Sequence, residues 1–505
     1  MVVKTRWRLR SFARSDMFIP LNAIRWTILI LFLFPLYGYG AEPPFHIDGT
    51  FIQPWIYADW DEERWERECA CLKSLGITAI ILEWTTKRDK NATQWTTCYP
   101  SKIHGTNMDV DSIHPLLEHA SKNGLKVYMG LGFDDAWWEW NLSTEEDAEK
   151  FKDSMRLSAQ FSREIYEMYQ PGYPDVLAGF YSPYEIWNHK DWNQKALRER
   201  QAECLSDGFN ILIKEIDEIA PELPLLFSPF ATADQHATIE NTQIFYDLFL
   251  KKTHFRKQDV MLPMDNIGGG GQSLETLEKW TAMYAAAIKK SGNKLNYYAN
   301  VENFVQSRAD QIKRSGRQDI IILVGDDYLG SAPIDRFFKQ LGIAKKYATK
   351  IFCFSYSHYY SPVNNIPGFH EALLNYQCTG KKDTQFPTGP SIVHFSMTDS
   401  VRVDSEHEDQ VKVLMVSWEG ASDNFGISRV NLYKGKETVG YSFAVRHDSN
   451  KAISEPIAIL YPNFQESDTD YCLGIIDVWG NETRTEPFKI NLEIGWSEVE
   501  QGNSR

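Results

Sequence analysis

From residue 50 to about 360 the chain alternates short β-branched and aromatic runs with longer stretches whose apolar positions recur every three or four residues. The short runs are Thr50 to Ile56, Ile77 to Thr85, Lys126 to Phe133, Leu177 to Tyr184, Pro224 to Phe230, Asp259 to Asp265, Leu295 to Glu302 and Lys350 to Tyr356. Between them lie helical patterns such as Asp61 to Leu75, Asp111 to Asn123, Thr144 to Tyr169, Gln194 to Ile219, Ser273 to Ser291 and Pro333 to Ala348. Strands that alternate with helices build a parallel sheet. Eight such units fit a (β/α)8 TIM barrel, a fold of about 250 residues or more. A doubly wound sheet would carry its glycine-rich turn after the first strand. Here the glycine run, Gly268 to Gly271, follows a late strand and reads as a flexible loop. A ninth strand-like run, Asp319 to Gly325, reads as a hairpin inserted before the last helix, because the segments from Pro333 onward already complete a final αβ unit.

Beyond Pro387 the pattern changes to short strands separated by turn residues. These strands are Ser391 to Met397, Val411 to Trp418, Gly426 to Tyr433, Gly440 to Val445, Ile457 to Leu460 and Asp470 to Val478. The phrases Val416-Ser417-Trp418, Asp423-Asn424-Phe425-Gly426-Ile427 and Asp477-Val478-Trp479-Gly480-Asn481 resemble fibronectin type III and related immunoglobulin-like sandwiches, modules that usually serve as spacers or docking surfaces. The domain plan is therefore a barrel over 41–380, a small all-β immunoglobulin-like sandwich over 387–493, and a tail over 494–505.

Residues 1–40 read as a signal peptide. Six bases against one acid precede a short apolar run from Trp26 to Tyr37, and Gly38 and Gly40 supply small residues at a cleavage site. The run is shorter than the roughly 20 residues of a membrane span. Export to periplasm or medium is expected, with no membrane span after cleavage. Cleavage at that point changes the formal charge from −15 to −20. So acidic a chain disfavours nucleic acid, and it favours neutral over polyanionic ligands. The seven cysteines lack the paired spacing of a zinc site and read as structural, with a disulfide from Cys69 or Cys71 to Cys98 left open.

A (β/α)8 barrel works at the C-terminal ends of its strands. Two ends carry a glutamate among aromatics: Tyr181-Ser182-Pro183-Tyr184-Glu185-Ile186-Trp187 after strand four, and Tyr298-Ala299-Asn300-Val301-Glu302 at strand seven. Glycosidic cleavage needs two carboxyl groups, about 5 to 5.5 Å apart in a retaining enzyme and about 6.5 to 9.5 Å in an inverting one. The arrangement resembles clan A glycoside hydrolases, which implies Glu185 as acid/base and Glu302 as nucleophile. The asparagine that many clan members place before the acid/base is here Tyr184. A wider resemblance rests on Gly49 to Trp55, Ile81-Leu82-Glu83-Trp84-Thr85, Tyr99-Pro100-Ser101, Tyr128 to Gly132 and Phe227 to Phe230. Together these look like the glycoside hydrolases of polysaccharide-degrading bacteria that are grouped as domain of unknown function 4434, over about residues 45 to 375.

Aromatic rings stack on the apolar faces of sugars while polar groups read hydroxyls. The strand ends supply both: Trp55, Glu83, Trp84, Asp134, Asp135, Trp137, Trp138, Tyr181, Asp265, Asn300, Tyr356 and His358 are the candidate substrate contacts. Neither a cofactor nor a metal is expected, although Asp134, Asp135 and Asp265 would be the ligands of a metal-dependent rival. Ser182 and Ser228 lack the G-x-S-x-G elbow of a serine hydrolase. A sugar-binding protein without catalysis is the other rival, and oligomeric state is open.

Overall fold

The structure is a computed structural model. It describes residues 45–504 apart from 234–235, 293, 308–310, 315–320, 325–327, 404–407, 448–451, 455, 457, 462–463 and 465–468. Residues 1–40, read as a signal peptide, lie outside the described residues. Among them no helix is long and apolar enough to cross a membrane.

Eight parallel strands close into a barrel: β1 Gly49–Ile52, β2 Ala79–Leu82, β3 Lys126–Gly130, β4 Leu177–Ser182, β5 Leu225–Phe227, β6 Val260–Met261, β7 Asn296–Glu302 and β8 Lys350–Phe354. Each is followed by a helix: α1 Glu62–Ser74, α2 Ile113–Asn123, α3 Glu145–Tyr169, α4 Lys195–Ile219, α5 Ile239–Lys252, α6 Leu274–Lys290, α7 Ile334–Ala344 and α8 Gly368–Thr379. Side chains alternate across a strand, so each strand fills two cores. Phe51, Ile81, Tyr181, Leu226 and Phe352 meet inside the barrel. Their neighbours Ile52, Ile80, Leu82, Phe180, Leu225 and Phe227 join the layer shared with the helices. Several helices start where the sequence offers an acceptor: Asp61, Thr144, Thr238 and Ser273 each take a backbone N–H of the first turn.

The β domain has two main sheets, antiparallel but for one ladder, around one core of Val393, Leu414, Val416, Val430, Leu432, Ile459, Leu473 and Ile475. Strands Ile392–Val403, Glu408–Glu419 and Ala458–Tyr461 form one sheet, and Glu437–Phe443, Ile427–Lys434, Tyr471–Asp477 and Glu482–Thr485 the other. Two contributions come from unexpected places. Residues 494–505, read as a tail, supply Trp496–Glu498 to the first sheet and Gln501–Ser504 to the second. The ninth strand-like run is the expected hairpin: Gln311–Arg314 pairs with Ile321–Val324, which pairs in parallel with Ile392–Val403. It leaves the barrel between β7 and α7 and joins the sandwich. Cys69, Cys71, Cys98, Cys204 and Cys353 are buried free thiols, and Cys378 is an exposed one.

Candidate active site

The inward alternation of the strands carries on past their C-terminal ends. It takes Phe51 to Gln53 and Ile81 to Glu83 just past β1 and β2 and ends β7 on Glu302, while Glu185 stands in the loop after β4, beyond Tyr181. Three carboxyl groups thus converge at the mouth, close enough that Glu83 and Glu302 both act on Glu185.

Glu302 is buried in a prepared setting. Its Oε2 accepts the Gly269 N–H at 3.0 Å, and the Gly268 N–H also faces it. The backbone of Glu302 is fixed as well: its N–H donates to Asp265 Oδ1 at 3.3 Å, and its carbonyl accepts from Arg336 Nη2 at 3.1 Å and Gln340 Nε2 at 2.9 Å. Burial and the neighbouring Asp265 raise the Glu302 carboxyl above the usual range, against the pull of the two glycine N–H groups and the Arg336 guanidinium. The glycine run read as a flexible loop is therefore a cradle for a carboxylate.

Glu185 has the opposite setting. Its backbone is held by the Trp137 indole, whose Nε1–H donates to the Glu185 carbonyl at 3.0 Å, and by the adjacent bond from Phe230 N–H to Ile186 O at 2.9 Å. Among the described residues the carboxyl itself has no charge-stabilising neighbour of this kind. Burial first, then the charges of Glu83 and Glu302, push it well above the ordinary value. Tyr184, where clan A members often carry asparagine, turns away from the mouth. Its hydroxyl accepts the Asp134 N–H at 3.3 Å, and its ring packs among Phe133, Trp137 and Phe151.

Several of the remaining candidates gather round this pair. Glu83 has one buried oxygen without a partner, and burial pushes the group up to about 7, opposed by the Gln53 side chain and Lys87. Gln53 accepts the Trp55 indole N–H at 2.9 Å and gives its own backbone N–H to His358 Nε2 at 3.3 Å. Burial holds His358 down to about 3, so it is a neutral acceptor. The Trp55 ring is 64% exposed and stands 5.7 Å from His358. Tyr181 lies within reach of the charges of Glu185 and Glu83, and Asn300 donates to Ser228 Oγ at 3.2 Å while its Oδ1 is buried without a partner. On the β3 to β5 side, Trp138, 46% exposed, stands 5.6 Å from Trp187, which lies parallel to Phe230 at 6.4 Å. Trp84 lies half-buried beneath Lys87, whose ammonium also reaches Asp135 at 3.9 Å.

Other candidates are occupied by the protein itself. Asp134 is buried, pairs with Arg88 and caps the Ala136 N–H. Asp265 gives one oxygen to the Ile267 and Glu302 N–H groups and the other to Gln340 at 2.6 Å, so it supports Glu302 from behind. Among the described residues Asp134, Asp135 and Asp265 do not form a cluster of metal-ligating atoms. Tyr356 points outward, its hydroxyl 2.8 Å from His370 of α8. Sequence reasoning missed Gln53, Arg336, Gln340 and the Gly268–Gly269 cradle. The glycine run after β6, the strand before the one that carries Glu302, was the signal available for the last.

A family profile described as a domain of unknown function, DUF4434, matches residues 47–366. No curated protein matches. Among solved structures the chain is similar to a protein of Bacteroides thetaiotaomicron VPI-5482 described provisionally as an α-L-fucosidase, at 20% identity and a TM-score of 0.45, over 63% of this chain and 88% of that one. It is also similar to the catalytic domain 2 of the Ostrinia furnacalis group II chitinase, at 11% identity and 0.37, over 67% and 97%. Xylanase 10B of Thermotoga maritima gives 12% and 0.33, over 62% and 83%.

Proposed function

The chain belongs to the DUF4434 family, and we propose that it is a glycoside hydrolase of neutral glycans working by a retaining double displacement. Glu302 attacks the anomeric carbon as Glu185 gives its proton to the departing oxygen. Glu185, now ionised, takes a proton from water, and that water displaces Glu302 from the glycosyl ester. The observation that carries this reading is the asymmetry of the two carboxyls: glycine N–H groups and a guanidinium attend Glu302, whereas Glu185 sits between two other acids. Environments that push two carboxyls apart in this way assign the base and the acid. The exposed rings of Trp55 and Trp138, the latter beside Trp187, offer faces for sugar rings. The exported location read from residues 1–40 suits an enzyme that meets polysaccharide outside the cell.

The test is hydrolysis of aryl α- and β-glycosides and neutral oligosaccharides by the wild type, Glu185→Gln and Glu302→Gln. Each variant is expected to lose about 10³-fold or more in kcat/KM. Azide should restore cleavage to Glu302→Ala and yield a glycosyl azide of inverted configuration. Full activity in both glutamine variants would remove the assignment. Binding without cleavage by the wild type would make the chain a sugar-binding protein instead.

A further inference from the structure

α7 begins without a cap of its own. Pro333 precedes it and provides no side-chain acceptor, although the first N–H groups of a helix need partners. The sandwich supplies them. Ile334 N–H donates to Val478 O at 2.9 Å and Asp335 N–H to Trp479 O at 3.3 Å. The turn that presents these carbonyls is fixed by Asp477, whose Oδ1 accepts the N–H groups of Gly480 at 2.6 Å and Asn481 at 2.9 Å. Gly480, at φ +101°, lets the turn come close: a Cβ there would lie 2.9 Å from Pro333 Cβ. The Trp479 indole is buried edge-on against Phe338 of α7 at 5.6 Å and Tyr376 of α8 at 5.7 Å.

The clamped turn of α7 faces the mouth of the barrel. Arg336 donates to the carbonyls of Glu302 and Phe304 and, through Nε, to Gln340 Oε1 at 3.1 Å. Gln340 completes the set by donating to both Glu302 O and Asp265 Oδ2. We propose that the sandwich is a working part of the active site: its Asp477 to Asn481 turn clamps α7 so that Arg336 and Gln340 hold the backbone and the charge of Glu302. Trp479, Arg336 and Gln340 are then positioning residues, and the β domain is more than a spacer. This rests on the reading of Glu302 as the nucleophile, but its consequence can be measured without a substrate.

The charged and titratable groups that face Glu302 are Asp265 beside it, Arg336 on α7 and Glu185 across the mouth, with the Tyr360 phenol behind Arg336. Full-length protein labelled with δ-¹³C-glutamate reports the Glu302 carboxyl, identified as the resonance lost in Glu302→Gln, through a pH titration. Arg336→Met should move its midpoint up by about one unit, since an opposite charge is lost, and Arg336→Lys should restore most of it. Trp479→Ala should move it in the same direction by about half a unit, with Trp479→Leu as the variant to use if alanine prevents folding. An Arg336→Met midpoint equal to wild type overturns the proposal. A shift with Arg336→Met but with neither Trp479 variant overturns the part given to the sandwich. A glycosidase reading that fails its own substrate panel leaves this titration unaffected, so the two failures are distinguishable.

Discussion

Gly268 has no room for a methyl group: a Cβ would fall 2.9 Å from Glu302 Oε2 and 2.7 Å from Phe304 O. Gly268→Ala must therefore displace the carboxylate, and a misplacement of about 1 Å can cost 10²-fold in rate. Steady-state kinetics should show that loss in kcat with a smaller change in KM. The raised carboxyls also set the pH dependence. Glu302 must lose its proton and Glu185 must keep its own, and both titrate above the ordinary glutamate range. On this assignment activity should therefore fall as pH drops through about 8, where Glu302 takes up its proton; a kcat/KM optimum near pH 5 would contradict the assignment. Glu83, Glu185 and Glu302 were legible because the period of two that builds a strand continues into the site. Gln53 obeys the same period but draws no notice beside the acids. Arg336 and Gln340 were invisible, because they act on backbone atoms from a helix distant in sequence. Asp134 and Asp265 show the converse, acids at strand ends whose oxygens the protein itself has taken.

At the scale of elements, the eight strands were legible from hydrophobic runs alone. The pairing of Ile321–Val324 with Ile392–Val403 was not, since a parallel ladder across such a separation leaves no local pattern. A different hidden feature lies where α1 meets the loop after β8. Glu68 is buried there, receives the Ser361 hydroxyl and has its Oε1 unpartnered. Burial pushes it up to about 7 against the Ser361 and Ser357 contacts. A carboxyl raised in the folded state favours folding at low pH, and that contribution is lost as pH rises from about 4.5 through 7. At pH 8 the ionised group costs about 3 kcal/mol relative to the unfolded chain. Glu68→Gln should accordingly raise the thermal midpoint by a few degrees at pH 8 and barely at pH 5, as scanning calorimetry at the two values would record. An equal effect at both would mean that charge is not the cause.

For the whole molecule, the switch from helical to alternating pattern near Pro387 announced a second lobe, and its strands were recognisable one by one. How the lobes join was not, because the join is made of backbone carbonyls at α7 and a hairpin inserted in the barrel. A chain ended at Phe386 would leave the Ile334 N–H and one edge of Ile321–Val324 without partners. It should collect in the insoluble fraction, which expression beside the full chain would check; a soluble, cooperatively unfolding product would argue against so close a join. The hairpin has a wider consequence. Cassette-like domains move between proteins because they part from their neighbours at a single linker. Here the polypeptide passes into the sandwich and back before α7, and enters it again after α8. A cut between α8 and Ile392 would split a sheet, so barrel and sandwich are expected to be exchanged only as one piece.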